Sequence, residues 1–98
     1  MVIKLMTNLT NQLAGKIIHE QELIIGPVAW EQAGKVTGLR IDIKSHEASI
    51  EGDTKEVLER LVAQYEKLFG AASREVCRDA VRPLLSQVPE NEIPAVLK

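Results

Sequence analysis

The chain has 98 residues, 45% apolar and 27% charged, and its twelve Lys and Arg against fourteen Asp and Glu give a formal charge of -2. That balance excludes a disordered chain, and no apolar run approaches the roughly 20 residues that span a bilayer. One domain over residues 1–98 with a single core is expected at this size, and the mild acidity argues against a surface devoted to nucleic acid or anionic lipid.

The first residues, Met1 to Asn8, contain one lysine and then polar side chains where a signal peptide would carry a long apolar stretch, so a cytoplasmic location is expected. A single cysteine, Cys77, agrees, because it has no internal bridging partner. Residues 1–49 hold five basic and five acidic side chains, and residues 50–98 hold seven and nine, so neither half is a charged tail.

Residues 1–14 stay open between helix and coil. Leu5, Leu9 and Leu13 are spaced by four, but Thr7, Asn8, Thr10 and Asn11 are poor helix formers. A strand is expected near 16–25, with Ile17, Leu23 and Ile25 on one face and His19 and Gln21 interrupting it. Gly26-Pro27 is a turn signal, and residues 27–33 favour a short helix with Pro at its start and Gly34 beyond its end, over a bent strand through Val28 and Trp30. Residues 38–44 and 48–52 form a β-hairpin: Leu39, Ile41 and Ile43 alternate with Arg40, Asp42 and Lys44, a turn follows at Lys44–Glu47, and Ala48 and Ile50 return.

The strongest pattern lies at 54–69. Val57, Leu58, Leu61, Val62, Tyr65, Leu68 and Phe69 keep a helical period, Asp53 and Glu56 fit a capping box, and Gly70 supplies the stop. A second helix is expected over about 72–85, striped by Ala72, Val76, Cys77, Ala80, Val81, Leu84 and Leu85 and kinked or ended near Arg82 by Pro83. Pro89 and Pro94 make 86–98 an irregular strap with one last turn at Val96 and Leu97. The sum is an α+β domain, a small antiparallel sheet packed by two C-terminal helices. A hairpin entering a capped helix and then Gly70-Ala71-Ala72 is a pattern of many small bacterial domains, and no motif singles out one family.

Catalytic signatures are missing from the sequence. The six glycines never form a phosphate loop or a dinucleotide fingerprint, and neither G-x-S-x-G nor H-E-x-x-H occurs. No catalytic residue, cofactor or metal ligand is therefore assigned. His19 and His46 would need to converge, with Glu22 or Asp42, to hold a metal, and exposed histidines are the simpler reading. Cys77 sits in an apolar stripe, which favours burial over activation by Arg74 and Arg78.

Four residues are candidates for partner binding: Trp30, Arg74, Arg78 and Arg82. The arginines, four apart, lie along one helical ridge that could follow phosphates, although Glu75 and Asp79 are placed to pair with the arginines three residues on. Trp30 is the single tryptophan, a common interface anchor that also serves as core. The expectation is a non-enzymatic regulatory or adaptor protein that binds another protein, as a homodimer because a small sheet exposes an edge that needs cover. The alternative is a nucleic-acid-associated protein using the arginine ridge, disfavoured by its interleaved acids.

Overall fold

The longest element is α1, Val2–Ile25. The computed structural model describes residues 2–98, with side chains from Leu9 onward, so Leu5 of the spaced leucines lies outside the described side chains. This helix replaces the strand expected near 16–25 and resolves the N-terminal segment as helical. The reason lies in the period. Thr10, Leu13, Ala14, Ile17, Ile18 and Gln21 are all buried, stepping by three and one around a single helical stripe, whereas Leu23 is 69% exposed. Gln21 breaks a strand face but belongs to the helical one. Its buried amide is satisfied from afar, donating to the Ser73 carbonyl at 3.2 Å and lying 3.5 Å from Cys77 Sγ.

A tight turn at Gly26-Pro27 leads to α2, Val28–Ala33, the short helix that the sequence favours. Pro27 caps its start and Gly34 follows its end, while Ala29, Trp30 and Ala33 face the core. The hairpin strands are β1, Leu39–Asp42, and β2, Glu47–Ile50, antiparallel with Leu39 opposite Ile50 and Asp42 opposite Glu47. They are shorter than expected, and the turn occupies residues 43–46. Asp42 tightens it by accepting from the N–H groups of Lys44 at 3.0 Å and Ser45 at 3.3 Å, and His46 closes it with φ of 55°. Ile43 is thereby carried out of the expected buried face to 59% exposure.

Two contacts fix the hairpin on the helices. Asn11 Oδ1 accepts from the Ile50 N–H at 2.8 Å, so a residue poor at forming helix serves to hold β2 against α1. Gly38, with φ of 90°, brings the entry to β1 so close to the next helix that a Cβ there would stand 2.6 Å from Val57 Cγ2. Only glycine meets both demands.

The helix α3, Thr54–Phe69, starts where expected, with the Asp53 carboxylate accepting from the Glu56 N–H at 3.0 Å. The capping box is half built, because the Glu56 side chain turns to Arg60 instead. Val57, Leu58, Leu61, Val62 and Tyr65 are buried, but Leu68 and Phe69, expected on the same stripe, are 45% and 41% exposed. Gly70 ends the helix at φ of 88°. The second of the pair, α4, spans Ala72–Val81 and gives way at Arg82–Gln87 to a 3-10 helix, as the ring of Pro83 requires. Ser73, Cys77, Ala80 and Val81 form its inner face, while Ala72 is exposed and Val76 half-buried. The strap that follows is pinned by Val88, Ile93, Pro94 and Leu97 and ends in the turn Ala95–Leu97.

Among the described residues the architecture is thus mixed α+β: four α-helices and a two-stranded antiparallel sheet. The helix α1 is the spine, packing on α4, on β2 and on α2, and α3 packs on α4. Tyr65, fully buried, donates to the Ala29 carbonyl at 2.6 Å and ties α3 to α2. No helix of the described residues is long and apolar enough to cross a membrane.

Candidate functional site

A groove of about 600 Å3 lies between α1 and the hairpin. The α1 side contributes Asn11, Gln12, Gly15, Lys16 and His19; the opposite wall is His46 to Ser49, and Trp30 of α2 lies against it. Volumes of this order are usual for small-molecule sites. Gly15 is not required by packing, since a Cβ there would meet nothing within 4 Å. A glycine inside a helix costs about 1 kcal/mol relative to alanine, and here it leaves that part of the groove wall without a side chain.

Trp30 is 3% exposed, and the imidazole of His46 stacks on its ring with centroids 4.8 Å apart and planes 10° from parallel. The geometry follows from the turn, whose left-handed last residue is His46 itself. The indole Nε1–H is buried without an acceptor among the described residues, a costly state for a donor. Lys16 has no ion pair among the described residues, and the carboxylate of Glu47 accepts from the Ser45 hydroxyl at 3.0 Å.

The two histidines line this same groove from opposite walls. His19 is exposed and stands 3.8 Å from Glu22. No group of three His, Cys, Asp or Glu able to hold a metal ion occurs among the described residues.

The three arginines share the outer side of α4 and its continuation, away from the groove, whose lining includes none of them. Each is paired within the chain. Arg74 bonds Glu66 of α3 through Nε at 3.0 Å and also through Nη2. Arg78 reaches Glu75 at 3.1 Å and the Val96 carbonyl at 3.0 Å, and Arg82 reaches Asp79 at 3.0 Å. Local pairing was legible in the spacing of Glu75 and Asp79; the Glu66 and Val96 contacts depend on tertiary structure.

Cys77 lies on the inner face of α4, fully buried. Burial pushes its thiol up to about 11, a shift that the Gln21 hydrogen bond reduces and the Glu66 charge augments. It is a core residue without thiolate character at neutral pH. Sequence patterning did not mark a second surface: Leu23 and Ile24 at the end of α1, and Leu68 and Phe69 at the end of α3, are all exposed. The Gln21 bond to the Ser73 carbonyl places these two helix ends at the same end of the molecule.

Comparison with protein-family models, curated proteins and solved structures found no match to this chain.

Proposed function

We propose that this chain is a small non-enzymatic adaptor or regulatory protein of the cytoplasm that acts through protein–protein contact, as a homodimer. The observation that carries this reading is the exposure of four large apolar side chains, Leu23 and Ile24 at the end of α1 and Leu68 and Phe69 at the end of α3, helix ends that the Gln21 bond to Ser73 brings to one end of the molecule. Removing exposed apolar side chains from water favours association. A twofold pairing of that end with its copy would cover them on both chains at once. The arginine ridge gives less support to nucleic acid, because Glu66, Glu75 and Asp79 already neutralise it.

Sedimentation equilibrium over a wide concentration range tests the proposal. The expected result is a concentration-dependent dimer for the natural chain and a monomer for Phe69→Glu or Ile24→Glu, with the helical circular dichroism of both variants retained. A strict monomer at every concentration removes the homodimer. A dimer indifferent to both substitutions moves the interface elsewhere.

A further inference from the structure

We propose that the groove between α1 and the hairpin is a binding site for a small aromatic carboxylate, its ring against the Trp30–His46 stack and its charge on Lys16. The proposal is independent of the dimer reading, which concerns the opposite kind of surface. Three observations carry it.

Buried Trp30 backs the exposed imidazole of His46 in a nearly parallel stack at the groove, and a planar ring extends such a stack on the imidazole by offset stacking. The groove also holds a cation that the protein leaves unpaired. The Lys16 ammonium has no carboxylate partner among the described residues. An anion with carboxylate oxygens supplies what it lacks, and charge-assisted hydrogen bonds are the stronger kind. Lastly, Gly15 sits mid-helix on the groove wall where a side chain would clash with nothing of the protein. Its missing side chain clears space for an occupant.

One group opposes an anion, the carboxylate of Glu47, which also lines the groove. Its Oε1 is engaged by the Ser45 hydroxyl on the turn, which spreads part of its charge. Were Glu47 dominant, the site would prefer an aromatic amine, and the experiment separates the two cases.

The chain has one tryptophan, so the indole N–H gives a single signal in a proton–nitrogen correlation spectrum and reports on the groove directly. Titration with benzoate is expected to shift that signal saturably, together with the amides of Gly15 and Ser49. Benzyl alcohol and benzylamine, of similar shape but neutral and cationic, bind at least about tenfold more weakly. Lys16→Ala weakens benzoate by about tenfold and brings it level with benzyl alcohol. Gly15→Leu, which fills the groove from a position with free space around it, abolishes the shift while thermal unfolding shows the fold retained. The proposal is overturned by an unmoved indole signal, by equal binding of benzoate and benzyl alcohol, by preference for benzylamine, or by natural affinity in both variants.

Discussion

The helix pair α3–α4 has an inner and an outer face that are held by different forces. Inside, Leu61, Val62, Tyr65, Cys77 and Val81 are out of contact with water, and the buried polar groups there have specific partners: Tyr65 on Ala29, and Gln21 of α1 on Ser73 and Cys77. Outside, Arg74, Arg78 and Arg82 are paired with acids but remain partly hydrated. Removal of apolar surface from water is worth about 25 cal/mol per Å2, while exposed ion pairs are worth about 0–1 kcal/mol each. The same helices therefore derive stability from one face and a charge-balanced surface from the other.

Leu61→Ala should break the inner face most severely. Its side chain is fully buried at the middle of α3, and the lost transfer energy and the cavity together cost about 2–5 kcal/mol. Urea unfolding measures this. A loss below about 1 kcal/mol would place Leu61 outside the packed interior and contradict the orientation of α3.

Alkaline pH attacks the same face through its titratable groups. Below about pH 9, the ordinary value for a thiol, Cys77 is protonated in both the folded and unfolded chain, and its contribution is fully present. Between there and about 11 the unfolded thiol ionises while the folded one does not, so stability falls as pH rises. The loss is complete above the folded value and amounts to about 2–3 kcal/mol. Tyr65, its hydroxyl likewise held above the ordinary range by burial and then by the Cys77 charge, extends the fall to higher pH. Urea titrations across this window should show the decline, and Cys77→Ala should flatten its first part. A natural chain equally stable throughout would mean that the thiol is hydrated.

Those inner residues also show what was legible in the sequence. The α3 helix announces itself because cap, stripe and stop coincide from Asp53 to Gly70, and Pro83 marks the end of α4 with similar clarity. The hairpin is visible as period two, although Ile43 shows that the pattern does not locate the turn to a residue. The α1 helix was hidden for a physical reason. Its stripe contains Thr10 and Gln21, whose burial is tolerable through tertiary contacts such as Gln21 with Ser73, 52 positions away. Local propensity weighs against Thr10 and Asn11, and packing on β2 and α4 overrides it. The acid-interleaved arginines lie elsewhere, and of the candidate site Trp30 could be named in advance. The groove could not, because it joins residues 11–19 to 46–49 only once α1 is known to be a helix.

On the outer face, the three arginines should respond to alanine substitution in an order set by exposure and number of bonds. Arg82, whose side chain is 71% exposed and is held among the described residues only by the similarly exposed Asp79, should change stability by less than about 0.5 kcal/mol. Arg74 should cost more, up to about 1 kcal/mol, because it bridges α4 to Glu66 of α3 through two nitrogens and both partners are less exposed. A double-mutant cycle between Arg74 and Glu66 isolates that coupling, and added salt should reduce it, since the pair is still partly in water. Equal effects at Arg74 and Arg82 would mean that the bridge between helices is no stronger than a solvated pair within one turn. The outer face would then contribute charge balance alone, leaving the whole joint between α3 and α4 to the buried side.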